Sequence, residues 1–288
     1  MKISFVAVGL MLSIVVSAQK VDWFKIHRYK VANLSEEVQE TSGLALMDNQ
    51  LYTLNDGDNP SEIFELDKTT GQILNKISIP FQNFDWEAIA SDGVHWYIGE
   101  FGNNWGTRKD LKIYKIPKDS VKNAEVISFH YPEQIQFNKN PHQHNYDAES
   151  LVYHNGNLHL FTKEWASYQT THYQITPSAN EDSQPAKKLE QYALGYLATD
   201  AAYFEGQLYI VGYTKKLEVY LTIFQEDDKG LFFSGKPRKY YLGSTASLGQ
   251  IEGIAVNEKG IYISGEKFRF KIFNAQPTLY FIPKEQFP

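Results

Sequence analysis

The 288-residue sequence contains no cysteine, which excludes disulfides and a lipid-modified cysteine anchor. Its formal net charge is −6, so a basic footprint for nucleic acid is absent as well. The chain also lacks the G-x-S-x-G elbow, the Walker loop and the Rossmann glycine pattern, so the commonest nucleophile and nucleotide signatures give no support to any enzyme class. No linker or low-complexity stretch divides the sequence, and we expect one domain over residues 19–288.

The one long apolar run lies at the N-terminus, where it has the pattern of a signal peptide. Lys2 provides a short positive region, residues 5–16 are apolar, and Val16-Ser17-Ala18 is a small-residue cleavage site. We therefore expect a signal peptide over residues 1–18, a mature chain that starts at Gln19, and a secreted or periplasmic location. No later segment is apolar enough to span a bilayer, so we expect no membrane span.

Aromatic residues are abundant, with 19 Tyr and 18 Phe, which is typical of strands rather than helices. One phrase recurs: an acid, a short apolar strand, a tight turn and a second strand. Two clear copies are DWEAIASDGVHWYIGEF (85–101) and DAESLVYHNGNLHLFTKEW (147–165), and three more begin at Thr41, Thr199 and Ile251. The turns contain Asp-Gly, Asn-Gly and related pairs, as tight hairpins require.

Aligned on their apolar positions, the five copies place one polar residue of each in a column. Its members are Ser42, Glu87, Glu149, Asp200 and Glu252, at steps of 45, 62, 51 and 52 residues. This is the spacing of β-propeller blades, each a four-stranded sheet. The sequence therefore predicts an all-β fold, a propeller of five four-stranded blades. Six blades are the alternative, if the 62-residue step contains an additional sheet.

The last repeat has three recognisable strands, and a strand-like segment precedes the first repeat without a partner. That segment is WFKIHRYKV, residues 23–31. We predict that it pairs with TLYFIP (278–283) as the missing fourth strand and closes the ring. Closure removes the exposed sheet edges that invite aggregation.

In a propeller, the start of each inner strand and the loop after each second strand lie on one face. The acids of the column would therefore converge at a central mouth, and Glu87, Glu149, Asp200 and Glu252 are the predicted ligands of a divalent cation, with Ca²⁺ the candidate. Asn55, Asp56 and backbone carbonyls are available as further oxygen ligands. Bound protons, or pairing with lysine and arginine, are alternatives to a cation. A structural alternative also stays open, in which inner-strand acids accept hydrogen bonds from neighbouring blades.

The loops at this face add further candidates. NDGDN (55–59) is like part of a Ca²⁺ loop but lacks the terminal glutamate of an EF-hand, and an Asx-rich turn needs no metal. NPHQHNYDAE (140–149) places His142 and His144 near Asp147, where they would bind a metal, act as a base, or lie in a solvated polar loop. The predicted catalytic residues are Glu149, Glu252 and His144, and the predicted ligand-binding residues are Arg108, Lys163 and Lys267.

Two stretches carry a resemblance to known proteins. ETSGLAL…LYTLNDGDN…IFELDKTTGQIL and DWEAIASDG…YIGEFGNNWGTRKDLKIYKI resemble secreted bacterial propeller proteins. More distantly, the chain is similar to esterase-like phytases, SdiA-regulated proteins and SMP-30-type lactonases. That resemblance implies a divalent cation, often Ca²⁺, at the central mouth, here on Glu87, Glu149, Asp200 and Glu252. Five blades are fewer than most of those families have, and no ligand set matches residue by residue.

Three functions remain open from the sequence. The first is a metal-dependent hydrolase of a small ester, lactone or phosphoester. The second is a non-catalytic propeller that binds a glycan or protein at the cell surface, with Trp86, Trp96, Trp105 and Trp165 as stacking candidates. The third is a five-bladed glycosidase that uses two of the acids. In each case we expect a monomer with its ligand at the central mouth. The fold alone does not decide among the three functions.

Overall fold

The computed structural model describes residues 20–179 and 182–288, so the predicted signal peptide lies outside the described residues. Five small antiparallel sheets are arranged as a five-bladed β-propeller, which confirms the predicted fold. Each blade begins with an inner strand beside the central axis and ends with an outer strand. Within the described ranges, no helix has the length and apolarity needed to cross a membrane.

The strands follow one another through the blades in chain order. Blade 1 contains Thr41–Met47, Gln50–Asn55, Glu62–Leu66 and Ile73–Ser78. Blade 2 contains Trp86–Ser91, His95–Glu100, Lys112–Pro117 and Glu125–His130, with the short strand Gln184–Pro185 added at its outer edge. Blade 3 contains Ala148–His154, Asn157–Thr162, Thr170–Ile175 and Lys187–Tyr192. Blade 4 contains Leu197–Phe204, Gln207–Tyr213, Glu218–Gln225 and Arg238–Ser244. Blade 5 contains Gln250–Asn257, Gly260–Glu266, Thr278–Pro283 and, from the N-terminal side, Lys30–Asn33.

Few elements lie outside the blades. A two-stranded hairpin, Phe268–Phe270 with Phe273–Ala275, extends from blade 5. The one α-helix of the described residues is Thr245–Leu248, and short 3₁₀ turns span Ile26–Tyr29, Glu36–Val38, Val121–Asn123 and Lys284–Gln286. The long step between blades 2 and 3 does not contain a sixth sheet, because residues 131–147, all of them described, form a loop without strands.

The ring is closed by the N-terminal segment, as predicted, but by a different part of it. Lys30–Asn33 pairs antiparallel with Thr278–Pro283 as the outer strand of blade 5. The continuous strand predicted over residues 23–31 is wrong, because Val21–Trp23 instead pairs in parallel with the outer strand of blade 4. Between the two pairings a 3₁₀ turn buries Ile26 completely in the apolar core shared by blades 4 and 5. The segment therefore joins the last two blades.

The core consists of apolar layers between neighbouring blades. Trp86 and Trp96 are buried in the layer that blades 1 and 2 share, together with Tyr52 and Ile98. Aromatic side chains fill the space between sheets because their large flat surfaces bury the most area per residue. Trp86 and Trp96 are therefore core residues, and Trp105 and Trp165 are the two of the four tryptophans that remain available to a ligand.

Candidate functional site

Every inner strand carries a β-bulge near its start. The residue left without a partner on the second strand is Glu87, Glu149, Thr199 or Glu252, and in blade 1 the interruption covers Ser42 and Gly43. A bulge changes the direction of a side chain relative to the regular alternation of the strand. The predicted column is therefore real in four blades, but its member in blade 4 is Thr199. The alignment of Asp200 was wrong by one residue.

Asp200 instead holds blades together. Its Oδ2 accepts hydrogen bonds from the backbone N–H of Leu44 at 3.2 Å and of Ile254 at 2.7 Å, and its Oδ1 accepts from Ala201 at 2.8 Å. The side chain is completely buried, and these bonds connect blade 4 with blades 1 and 5. Asp200 does not line the central cavity. It has the structural role that the sequence left open for inner-strand acids.

The two hydroxyl members of the column also bind backbone. Ser42 Oγ donates to the carbonyl oxygen of Glu87 at 3.1 Å, and Thr199 Oγ1 donates to that of Ile251 at 2.5 Å. Blades 1 and 4 thus each bind the next blade through a bulge hydroxyl. The three glutamates of the column behave differently, because their side chains line the central cavity.

The central cavity has a volume of about 430 Å³ and opens on the face where the inner strands begin. Its walls carry five carboxylates against one lysine ammonium, so the cavity is strongly acidic. The lining residues are Asp56, Glu87, Asn104, Trp105, His142, Glu149, Lys163, Trp165, Tyr213, Gln250, Glu252 and Glu266.

Three acids meet beside this cavity, and we call Asp56, Asp85 and Glu87 the acid triad; Asp56 and Glu87 line the cavity, and Asp85 lies next to them. One oxygen of each lies within 4.8 Å of the others. The loops that carry the triad are fixed by side chains: Asn83 Nδ2 donates to the carbonyl oxygen of Asp56 at 2.8 Å, and Glu100 Oε2 accepts from the N–H of Phe84 at 3.0 Å. The acids are therefore brought together by ordered loops and not by a flexible segment.

Two glycines leave the space in which the triad packs. A Cβ atom at Gly102 would lie 2.4 Å from Asp85 Oδ2 and 2.4 Å from Glu87 Oε1. A Cβ at Gly57 would lie 2.6 Å from the carbonyl oxygen of Phe84 and 3.1 Å from Asp85 Oδ1. Any larger residue at position 102 would push two of the three carboxylates apart, so this glycine is required for the close approach of acids.

Burial and repulsion from nearby carboxylates raise the pKa of every triad carboxyl. Burial, with Glu252 adding repulsion, raises the pKa of Asp56 to about 7. Burial and the Asp147 carboxylate raise that of Asp85 to about 6, against the nearby Arg108. Glu87, almost fully buried, has a pKa well above its usual range, because of burial and then Asp56. Near neutral pH the triad therefore holds protons or a cation, because three buried carboxylates so close together are unstable when all are ionised.

Glu149 and Lys163 form a buried ion pair on another wall of the cavity. Burial acts to lower the pKa of Lys163, but Glu149, with smaller contributions from Tyr213, Glu252 and Asp147, more than offsets that effect and holds the pKa well above its ordinary value. The ammonium also lies 4.9 Å from the ring centre of Trp165 and 5.6 Å from that of Tyr213. Lys163 thus lines the cavity, as predicted for a ligand-binding residue, but its charge is already matched by Glu149.

The third wall carries Glu252 and Glu266. Glu252 Oε1 accepts hydrogen bonds from Tyr213 Oη at 3.2 Å and Gln250 Nε2 at 3.3 Å, and Gln250 also donates to Glu266. Burial raises the pKa of both carboxyls, and repulsion from Glu252 adds to the effect on Glu266. Glu252 therefore lines the cavity as a buried acid with a raised pKa, and its catalytic role stays a prediction.

The histidine that faces the cavity is His142, whereas His144 was the predicted catalytic residue. His144 Nδ1 accepts the N–H of Tyr146 at 3.2 Å, and its Nε2 donates to the carbonyl oxygen of Asn104 at 3.3 Å. Both ring nitrogens are occupied, and His144 does not line the cavity. His142 stacks on Trp165 at a centroid distance of 4.2 Å.

The other two predicted ligand-binding cations lie outside the cavity lining. Arg108 forms an ion pair with Glu100 at 2.8 Å and a second with Asp110 at 3.2 Å, and it lies 3.8 Å from Asp85. Lys267 donates to Gln39 Oε1 at 3.2 Å. Arg108 thus supports the loop beside the triad without reaching the cavity.

Several residues in or beside the cavity were not predicted, although the sequence pattern pointed to one of them, Asp85. Asp85 stands two residues before Glu87, as Asp147 stands two residues before Glu149, so the acid that opens each copy of the phrase was available as a clue. Asp147 is used differently, because its oxygens accept from the N–H of Asn103 at 2.6 Å and from Trp165 Nε1 at 2.7 Å. Glu266 and Tyr213 end second strands, where sequence alone does not show side-chain direction.

The comparisons with known proteins concern the fold. No family model matches the chain, and no curated protein matches it. Among solved structures, it is similar to a DUF4623 family protein from Bacteroides eggerthii, with 15% identity over 87% of this chain and 56% of that one and a TM-score of 0.48. The WD40 β-propeller domain of Doa1 gives 11% identity, coverages of 89% and 83%, and a TM-score of 0.45.

A protein proposed to be a 6-phosphogluconolactonase from Bacteroides uniformis gives 14% identity, coverages of 89% and 68%, and a TM-score of 0.40. The chain spans little more than half the length of the B. eggerthii protein. At identities this low the similarities assign no activity, and the suggested relation to phytase-like, SdiA-regulated and SMP-30-type propellers stays a prediction.

Proposed function

We propose that the protein binds a divalent cation at the acid triad and hydrolyses a small uncharged ester or lactone in the central cavity. The observation that carries this proposal is the convergence of Asp56, Asp85 and Glu87, with oxygens within 4.8 Å, beside a cavity of about 430 Å³. Ca²⁺ is the cation of choice, because hard carboxylate oxygens in an irregular arrangement are its usual ligands.

The donor set fits such a cation. All three triad groups are carboxylates, and Gly102 leaves the space in which two of them approach each other. A cation would replace the protons that the raised pKa values otherwise require. A bound Ca²⁺ would supply Lewis acidity to polarise the carbonyl group of a substrate.

The remaining walls provide the other parts of a hydrolytic site. Glu252, which already accepts hydrogen bonds from Tyr213 and Gln250, would take a proton from water as the water oxygen bonds to the carbonyl carbon of the substrate. The carbon–oxygen bond to the leaving group would then break. Among the described residues that line the cavity, Lys163 is the one lysine or arginine, and its ammonium, paired with Glu149, would donate hydrogen bonds to a substrate oxygen. The proton on the leaving alcohol or hydroxyl group comes from Glu252 or from water.

The charge of the cavity favours some of the candidate substrates. Five lining carboxylates and one ammonium would repel a phosphoester dianion unless the cation compensated for most of the charge. Neutral esters and lactones carry no such penalty. The volume is suited to a small molecule rather than to a polymer chain.

The first test is a set of melting curves with chelator and with excess Ca²⁺. A cation at about one hundred times its Kd stabilises the folded protein by about 3 kcal/mol, which corresponds to a rise in Tm on the order of 5–10 °C. Glu87→Gln should remove most of this rise, because it deletes a charged ligand at nearly the same volume. Glu258→Gln, in an exposed turn on the opposite face, is the matched control and should respond as the wild type does.

The second test is hydrolysis of a panel of neutral lactones and esters, measured with and without Ca²⁺. We expect Ca²⁺-dependent turnover that Glu252→Gln reduces by about 10²–10⁴-fold while the Ca²⁺-induced rise in Tm persists. Wild-type melting curves that coincide in chelator and Ca²⁺ would refute the cation site. A Ca²⁺ response without turnover of any panel member would refute the hydrolase assignment only.

A second candidate function is supported by the aromatic residues of the same cavity. Trp105, Trp165, Tyr213 and His142 line it, and the pairing of aromatic faces with acids is typical of sugar-binding sites. This interpretation predicts binding of neutral monosaccharides without turnover. Isothermal titration with a monosaccharide panel distinguishes it, because a hydrolase of simple esters has no reason to bind these sugars.

A further inference from the structure

Exposed apolar side chains are concentrated on the face around the mouth. Six of the ten large hydrophobic residues that are exposed among the described residues lie in loops of this face: Phe84, Trp105, Ile135, Phe270, Ile272 and Phe273. These loops either lead into an inner strand or follow a second strand, and both kinds emerge on the mouth face in an antiparallel blade. A soluble protein does not usually collect its exposed apolar groups on one side, so such a grouping indicates an interaction surface.

The most prominent member is the hairpin of blade 5, which we call the 268–275 hairpin. Ile272 at its tip is 90% exposed, Phe270 is 50% exposed and Phe273 is 42% exposed. Its base is fixed, because Ala275 is buried and contacts the helix Thr245–Leu248, and the N–H of Lys267 donates to the carbonyl oxygen of Gln39 at 2.8 Å. The apolar tip therefore projects from a rigid support.

The hairpin is also basic. Residues 267–277 include Lys267, Arg269 and Lys271 and no acid, in a chain whose formal net charge is −6. In the described part of the chain, none of these three cations forms a salt bridge. Further exposed lysines, Lys109, Lys139, Lys215 and Lys216, occur in other loops of the same face. The hairpin is thus a basic, apolar projection beside an acidic cavity, on a face whose other loops also carry exposed acids such as Glu36, Asp58 and Glu133.

We propose that this face docks on an anionic lipid surface, with the tip of the 268–275 hairpin inserted among the lipid headgroups. Apolar side chains that enter the interfacial region, flanked by lysine and arginine, are the combination that binds peripheral proteins to anionic bilayers. The mouth would then face the membrane. The proposal does not depend on cation binding or hydrolysis.

A second copy of the chain is a less suitable occupant of the same surface. In a two-fold dimer each patch meets its own copy, so the cations of one hairpin would face those of the other. An anionic surface satisfies both features of the hairpin at once, because it attracts the three cations and accepts the apolar tip.

The test is flotation of the purified protein with vesicles of phosphatidylcholine containing phosphatidylglycerol, and with vesicles of phosphatidylcholine alone. We expect strong binding to the anionic vesicles, weak binding to the neutral ones, and release at high salt. Lys267→Gln/Arg269→Gln/Lys271→Gln should lower the partition coefficient by about one hundred-fold, since each basic residue contributes about five-fold. Ile272→Ser should lower it by about ten-fold without changing its salt dependence.

Two control variants carry equivalent substitutions at sites away from the mouth face. Lys122→Gln/Lys187→Gln/Lys188→Gln removes the same charge from exposed sites away from the mouth face, and Val94→Ser removes an exposed apolar group from a turn on the opposite face. Both should bind vesicles as the wild type does. Equal binding to the two vesicle types, or equal loss in the control triple variant, would overturn the proposal. Self-association of the wild type that Ile272→Ser abolishes, without vesicle binding, would assign the surface to a second copy instead.

Discussion

Removal of the Lys163 ammonium is the most informative perturbation of the cavity. Lys163 and Glu149 are 4% and 2% exposed, so Lys163→Met keeps the volume but leaves a carboxylate buried without its partner. Breaking a buried pair in this way costs about 3–5 kcal/mol of unfolding free energy. Replacing both partners with uncharged groups costs much less, so Glu149→Gln/Lys163→Met should recover most of the loss, with a coupling energy of about 3 kcal/mol.

The loss should depend on pH in a defined direction. Burial already raises the pKa of Glu149 in the folded wild type, although Lys163 opposes the effect. Without the ammonium the pKa should rise further, so the folded variant keeps the Glu149 proton to a higher pH than the folded wild type does. The stability of Lys163→Met relative to wild type then falls as pH rises, by about 1.4 kcal/mol per pH unit, between the Glu149 pKa of the folded wild type and that of the folded variant. The lysine itself adds no slope in this range, because its raised pKa affects stability only at alkaline pH.

The assay is chemical denaturation of wild type, both single variants and the double variant at about pH 5 and about pH 8. We expect the Lys163→Met deficit to be small at the lower pH and close to its full value at the higher one. An equal deficit at both pH values, or no recovery in the double variant, would refute the assignment of a buried ion pair to this wall.

Three further predictions follow from particular contacts. Asp200→Asn should lower the free energy of unfolding by about 1–3 kcal/mol, because the Asn NH2 group cannot accept a hydrogen bond where a carboxylate oxygen of Asp200 now accepts one from a backbone N–H. An unchanged denaturation midpoint would contradict this role. Gly102→Ala should abolish the Ca²⁺-induced rise in Tm by separating two triad carboxylates, and a retained rise would show that the triad is not the site. Ile26→Ala should cost about 2–4 kcal/mol, measured against exposed Val21→Ala, because Ile26 fills the layer between blades 4 and 5; equal effects would contradict the joining role of the N-terminal segment.

The blades were predictable because they depend on spacing and composition. The five repeats and their tight turns predicted five sheets. The last repeat has three strands of its own, which predicted that an N-terminal strand completes it, and the structure confirms both. The break at Ile26 was not predictable from local pattern. WFKIHRYKV has strand-like composition throughout, and the 3₁₀ turn forms because a deep apolar layer between two blades accepts Ile26. Tertiary burial overrides local preference in such a segment.

The site was less predictable, because a bulge shifts register without a mark in the apolar pattern. In ATDAAY (198–203), Thr199 and Asp200 are adjacent polar residues. The alanines that follow them are too small to show which of the two occupies the bulge. The triad was hidden for a different reason. Asp56 and Asp85 lie in loops of two successive blades, and their approach to Glu87 depends on Asn83 and on the missing side chain of Gly102. No one-dimensional spacing encodes such a contact.

The division of the bulge column explains how a symmetric ring acquires an asymmetric site. Each of the five inner strands has an interruption at the same place, and a purely structural rule would put the same residue in each. Instead, Ser42 and Thr199 use their hydroxyls to bind the backbone of the next blade, while Asp200 extends that connection to blades 1 and 5. The glutamates of blades 2, 3 and 5 are thereby free to face the cavity, where each has a different neighbour. Glu87 joins the triad, Glu149 binds Lys163 and Glu252 accepts from Tyr213, so one repeated position supplies three distinct chemical environments.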